Sequence, residues 1–165
     1  MIKALLIDDE HYIREGIKEK ITQFFNNEIE VVAEANSVFA AVKAINLIKP
    51  DLVFLDIEIE EGTGFDVLQQ CTYKSFDVIF VTGFDDQAIK AIKVGALDYL
   101  LKPIDDDEFK AAVLKTLQSS TQEHNVEKQA EAAYEHWNDS LKKKIILKTL
   151  DYIHSVYEDN IIYCK

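Results

Sequence analysis

Apolar positions along the chain follow two alternating patterns. Ala4-Leu5-Leu6-Ile7 is an unbroken apolar run that stops at Asp8-Asp9. A run without polar alternation predicts a strand covered on both faces, as in a parallel sheet. Ile13, Ile17, Ile21 and Phe24 then recur at helical spacing and form one stripe. Glu30 to Ala35 predicts a second strand, and Ser37 is placed to cap a helix whose face is Val38, Val42, Ile45 and Ile48. Beyond Pro50-Asp51, Leu52-Val53-Phe54-Leu55 is a third strand, ending at Asp56. Gly62 and Gly64 predict a turn before a short helix carrying Phe65 and Leu68. Val78-Ile79-Phe80-Val81 ends at Thr82, and Asp86 to Val94 reads as a helix closed by Gly95. Tyr99-Leu100-Leu101 ends at Lys102-Pro103, and Asp105 with Glu108 is a capping box for a helix with Phe109, Val113 and Leu117 on one face.

Strand and helix thus alternate five times over residues 1–120. The expected fold class is α/β, a doubly wound five-stranded parallel sheet with right-handed crossovers. The pattern changes after Leu117. Val126, Ala130, Ala133, Trp137 and Leu141 recur near heptad spacing among many charges, which predicts a linker helix over 121–143. Ile145 to Leu147, Tyr152 to Val156 and Asn160 to Cys164 then read as strands. So short a stretch cannot bury a core alone, so residues 144–165 are expected to be the first strands of an incomplete β domain.

Composition narrows the function classes. The 165 residues are 48% hydrophobic, which argues for a folded protein, and carry a formal net charge of -12. That balance argues against these residues gripping a phosphate backbone, which needs clustered Lys and Arg. Lys142-Lys143-Lys144 is too short a basic run to change this. No signal peptide and no bilayer-length apolar run are evident, so a soluble, cytoplasmic protein without membrane association is expected. Cys71 and Cys164 lack metal-type spacing and read as packing residues; His11, His124, His136 and His154 are scattered.

The chemistry lies at the strand ends. In a doubly wound sheet, ligands bind beyond the carboxyl ends of the strands. There the sequence puts Asp8 and Asp9 after the first strand, Asp56 after the third, Thr82 after the fourth and Lys102 after the fifth. Three carboxylates together repel one another unless a cation joins them. Mg²⁺ suits a site of carboxylates, waters and a phosphate oxygen. An Asp can attack a phosphoryl group to form an aspartyl-phosphate. Lys102 and the metal can clamp the equatorial oxygens, with a donor from the Thr82 hydroxyl.

Four segments carry a family resemblance: Leu5-Leu6-Ile7-Asp8-Asp9-Glu10, Asp51-Leu52-Val53-Phe54-Leu55-Asp56-Ile57, Val81-Thr82-Gly83 and Asp98-Tyr99-Leu100-Leu101-Lys102-Pro103. Over residues 1–120 the chain resembles the receiver domains of two-component response regulators, which have a flavodoxin-like sheet. The resemblance implies that Asp56 is the phosphoacceptor for a sensor histidine kinase. It implies Mg²⁺ held by Asp8, Asp9, Asp56 and the backbone carbonyl of Glu58. Thr82 and Lys102 would contact the phosphoryl group, Tyr99 would turn inward as Thr82 moves, and Lys102-Pro103 would be a cis bond. Such a domain catalyses only its own phosphorylation and dephosphorylation. Phosphorylation would alter the output surface and favour a homodimer.

Thr82-Gly83-Phe84-Asp85-Asp86-Gln87-Ala88, Ala91 and Gly95 to Ile104 are further similar to regulators with a LytTR-type DNA-binding domain, and Lys144 to Lys165 resembles the opening strands of that domain. DNA would then be bound, and transcription controlled, only through the missing C-terminal part. One feature departs from the family pattern. The loop Glu58-Ile59-Glu60-Glu61-Gly62 lacks the proline common there and adds charge, whereas the small Gly83 suits phosphate access. A Mg²⁺-dependent aspartyl-phosphate phosphatase is an alternative, but it wants a second Asp where Glu58 stands. A nucleotide binder would need a glycine-rich loop after the first strand. A stand-alone receiver that only binds partners is the remaining alternative.

Overall fold

The strands are apolar on both faces because both faces of the sheet are covered. The computed structural model describes residues 1–83, 98–119, 134–135, 144–148 and 153–157. Five parallel strands, β1 (Ile2–Ile7), β2 (Ile29–Ala35), β3 (Leu52–Leu55), β6 (Asp77–Thr82) and β7 (Asp98–Leu101), lie in the order β2-β1-β3-β6-β7. Between β3 and β6 run a two-stranded antiparallel ladder of β4 (Glu58–Ile59) and β5 (Gly62–Thr63), then helix α3 (Gly64–Gln70). The other helices are α1 (His11–Phe25), α2 (Val38–Ile48) and α4 (Asp106–Ser119).

Side-chain alternation divides the core into two layers. Leu5, Ile7, Val53, Leu55, Val78 and Phe80 face α2 and α3, where they meet Val38, Ala41, Ile45, Phe65 and Leu68. Ala4, Leu6, Leu52, Phe54, Ile79 and Val81 face α1 and α4, against Ile17, Ile21, Phe25, Phe109 and Val113. The Phe54 and Phe109 rings stack at 5.7 Å. Burying each such ring is worth about 1.5–3 kcal/mol relative to leaving it exposed.

Helix boundaries follow the local signals. Ser37 Oγ accepts from the Ala40 N–H and starts α2; Asp105 Oδ1 accepts from the N–H groups of Asp107 and Glu108 and starts α4. Two readings change in detail. On α1 the deeply buried row is Ile17, Ile21 and Phe25, with Ile13 and Phe24 only partly covered, because positions four apart track the groove over the sheet. The Gly62–Gly64 region is a hairpin followed directly by a helix, not a simple turn. Thr63 caps α3 through a capping box with Asp66, so Gly64 is already helical. Glu61 carries a φ of 71° and Gly62 one of 155°, which lets the two-residue connection close.

Lys144–Lys148 (β8) and Ile153–Tyr157 (β9), which lie at the first two terminal strands read from the sequence, pair antiparallel. The predicted helix over 86–94, the third terminal strand and most of the predicted linker helix lie outside the described residues. Tyr134 and Glu135 of that linker are helical, and the Tyr134 ring meets Phe65 edge-on at 5.6 Å.

Gly64 joins the fold to the strand end carrying Asp56. Its N–H donates to the Ile57 carbonyl at 2.8 Å. A Cβ there would lie 2.3 Å from the Asp56 backbone oxygen and 2.9 Å from Leu55 Cγ. Gly64→Ala is therefore expected to destabilise the chain by about 1–3 kcal/mol. Urea denaturation checks this, and an unchanged midpoint would show that α3 can shift without cost.

Candidate functional site

Backbone hydrogen bonds fix where the strand-end residues stand. The Asp8 N–H donates to the Ala35 carbonyl, the Asp56 N–H to the Ile7 carbonyl and the Lys102 N–H to the Thr82 carbonyl. The polar residues thus sit one step beyond the last apolar residue of their strands, still locked to the neighbouring strand. The strand order reverses between β1 and β3, and Asp8 and Asp56 flank that switch point.

The side chains converge as the sequence predicts. Lys102 Nζ donates to Asp56 Oδ2 at 2.7 Å and to Glu10 Oε1 at 2.8 Å, and lies 2.9 Å from Asp8 Oδ2. The Asp8 and Asp56 side chains are only 2% and 7% exposed. Thr82 is fully buried at the same edge, opposite Leu101 in the sheet register. Asp9 is exposed beside them. An open cleft of about 210 Å³ is lined by Glu10, Asp56, Glu58, Thr82, Gly83 and Lys102. A Cβ on Gly83 would meet nothing within 4 Å, so that wall of the cleft is open. Tyr99 is half-buried on β7 opposite Phe80 and packs on the α2–α3 layer. The Lys102-Pro103 bond is cis.

Carboxylate oxygens of Asp8, Asp9 and Asp56 lie within 4.8 Å of one another, an all-oxygen donor set of the size a hard divalent cation needs. Asp8 Oδ2 is buried and, although close to Lys102, accepts no hydrogen bond in good geometry. A buried carboxylate oxygen that accepts no hydrogen bond is suited to serve as a cation ligand. Glu58 is exposed; its N–H donates to Asp56 Oδ1 at 3.3 Å. His11, Glu15 and Glu34 also converge on the surface, but Lys18 pairs with both acids and Arg14 with Glu34.

Electrostatics follow from burial. Desolvation pushes Asp56 from 3.8 up to about 6, against hydrogen bonding and attraction from Lys102. Asp8 is also raised by burial, with Lys102 and the Glu10 N–H opposing. Burial lowers Lys102, but its hydrogen bonds to Asp56 and Glu10 and its ion pair with Asp8 outweigh this and hold it above its ordinary value, as an ammonium.

Two residues outside the predicted set belong to the site. Glu10 shares Lys102 with Asp56, and Arg14 Nη1 donates to the Asp8 carbonyl at 2.5 Å while Nε pairs with Glu34 at 2.9 Å. Glu10 adjoins the acidic pair, which is a usable signal. Arg14 needed the helix rotation to be known.

The model of the response regulator receiver domain matches residues 4–114. The chain belongs to this family. As a receiver domain it is the phosphorylation-dependent signal-receiving part of a two-component response regulator. It is 35% identical over 127 residues to the transcriptional regulatory protein BtsR of Escherichia coli, covering 76% of this chain and 50% of that protein. It is 36% identical over 114 residues to the sensory transduction protein LytT of Enterococcus faecalis, covering 68% and 46%. The receiver domain of AraT, a response regulator from Geobacillus stearothermophilus, superimposes with a TM-score of 0.61 at 33% identity, covering 73% of this chain and 98% of that one. The chain spans about half the length of the curated relatives it matches, between 43% and 50% for those from three Vibrio species. Among the described residues of this receiver domain, no helix is long and apolar enough to cross a membrane.

The raised value of Asp56 has a thermodynamic consequence. The native state holds this proton more tightly than the unfolded chain, so the contribution to stability is complete below pH ~4 and is lost as pH rises through about 6. Glu10, lowered by its bonds from Lys102 and Tyr12, works in the opposite sense, so a variant comparison is needed to isolate Asp56. In chelator at pH 8, Asp56→Asn is expected to be more stable than the native chain by about 1–3 kcal/mol, with the gap closing toward pH 4. Urea denaturation at several pH values reads this; an Asn variant that is weaker at every pH would mean that the Lys102 pairing outweighs desolvation.

Proposed function

We propose that Asp56 is the phosphoacceptor of this receiver domain, and that it takes the phosphoryl group from a sensor histidine kinase. The observation that carries this is the pairing of a buried carboxylate with Lys102 at the open end of the cleft. An Asp56 oxygen bonds to phosphorus in line with the departing nitrogen. The P–N bond of the phosphohistidine breaks, and its electron pair stays with the imidazole. Lys102 and the Thr82 hydroxyl offer hydrogen bonds to the phosphoryl oxygens. Asp8, Asp9, Asp56 and the Glu58 carbonyl would hold Mg²⁺, which supplies charge neutralisation at the transferring group when bound. The catalysis is limited to the domain's own phosphorylation and dephosphorylation.

Phosphorylation adds about -1.5 to -2 charge at Asp56. Drawing Thr82 toward it makes room beside Phe80 for Tyr99, which changes the outer surface of β7 and the neighbouring helices. That surface is the proposed site of homodimer formation. The domain division is 1–120 for the receiver, 121–143 for a linker helix and 144–165 for the opening of a LytTR-type DNA-binding domain. The β8–β9 pair and the likeness to LytT and BtsR support it. The whole protein is then a cytoplasmic transcriptional regulator that contacts DNA through the rest of that domain.

Intact mass after incubation with acetyl phosphate and Mg²⁺ tests the acceptor. One phosphoryl group is expected on the native chain, with none on Asp56→Asn and none in chelator. Equal labelling of the Asn variant would move the acceptor elsewhere, and labelling in chelator would remove the metal from the reaction.

A further inference from the structure

The lysine of the site is shared unequally among three acids. Lys102 Nζ donates to Asp56 at 2.7 Å and to Glu10 at 2.8 Å, with Asp8 at 2.9 Å. Asp8 and Asp56 are held by the sheet and almost fully buried, whereas the Glu10 side chain is 41% exposed. Glu10 stands at the N-cap position of α1, yet its side chain makes no capping bond. Its carboxylate is instead fixed at both oxygens, Oε1 by Lys102 and Oε2 by the Tyr12 hydroxyl at 2.5 Å. Glu10 also lines the cleft through which a phosphoryl group reaches Asp56.

Two of the three N–H donors of the ammonium are held by Asp56 and Glu10 beside the ion-paired Asp8, so a phosphoryl group on Asp56 competes for a donor already committed. Of the three acids, Glu10 alone can swing into water without leaving a desolvated charge behind. We propose that Glu10 is a positioning residue, the exchangeable partner of Lys102. In the unphosphorylated chain it takes up the donor that a phosphoryl oxygen later takes. Glu10 therefore sets how readily the site accepts and keeps a phosphoryl group. This rests on Asp56 being the acceptor.

The test uses the full chain with Mg²⁺ and two readouts. One is the initial rate of Asp56 labelling by acetyl phosphate. The other is the affinity for beryllofluoride, which imitates the bound phosphoryl group without the chemistry. Glu10→Gln keeps the shape and removes the charge, and both readouts are expected to rise about fivefold, the effect of deleting one unit charge a few Å away in a water-rich setting. Glu10→Ala should rise similarly, which guards against a peculiarity of the Gln variant. In a Lys102→Ala background the beryllofluoride gain should vanish, because the effect passes through the lysine. Values within twofold of native, or a fall, overturn the proposal. So does a gain that survives without Lys102, since Glu10 would then act only as general charge. If the native chain takes no label on Asp56, the acceptor assignment fails instead, and the two failures are distinguishable.

Discussion

One ammonium holding two buried carboxylates is the constraint on which the site depends. Asp8 and Asp56 would each be costly to bury as ions, and together they repel. Lys102 reaches both from the far side of the sheet, across 46 residues of sequence from Asp56. Its charge compensates only in part, which is why Asp56 remains raised to about 6. A group that is under-compensated while buried has a standing affinity for further positive charge. The same imbalance thus favours a cation in the cleft.

The sheet makes this arrangement possible. Parallel strands with helices on both faces place every carboxyl end on one edge, and the hydrogen bonds from Asp8, Asp56 and Lys102 to Ala35, Ile7 and Thr82 extend the sheet by one residue into the site. The ladder cannot slip to relieve the repulsion, because a one-residue shift would turn Leu6 and Phe54, or Leu5 and Leu55, out of their layers. Stacking of Phe54 on Phe109 on one side, and a tilted contact of Phe65 with Phe80 at 5.2 Å on the other, fix the sheet between its helices.

Much of this was legible in the sequence because it depends on local order. Apolar runs that end in Asp8, Asp56, Thr82 and Lys102 give both the strands and the direction in which they point, and parallel topology then gathers their ends. The sequence does not disclose contacts that depend on rotation and reach. Glu10 adjoins the acidic pair in sequence, but its pairing with Lys102 shows only once that side chain is seen to arrive beside it. Arg14 reads as a surface residue on α1, and only the placement of β2 brings Glu34 to it. The short β4–β5 ladder is carried by two pairs of residues, too few to leave a periodic signal. Gly64 was legible as a glycine but not as the residue whose missing Cβ lets α3 begin against the Asp56 carbonyl.

These contacts assign different duties to residues of the same charge. Asp8 and Asp56 are immobile because the sheet holds their backbones and the core excludes water from their sides. Asp9 and Glu58 carry exposed side chains. Glu10 lies between these extremes, tied by Lys102 and Tyr12 yet open to solvent. Charge counting would treat the five as one acidic patch. Burial separates them, because desolvation sets the cost of moving each carboxylate or of changing its partner. For a phosphoryl group on Asp56, as proposed above, Glu10 is the acid free to give up Lys102, because its side chain is open to solvent while those of Asp8 and Asp56 are buried.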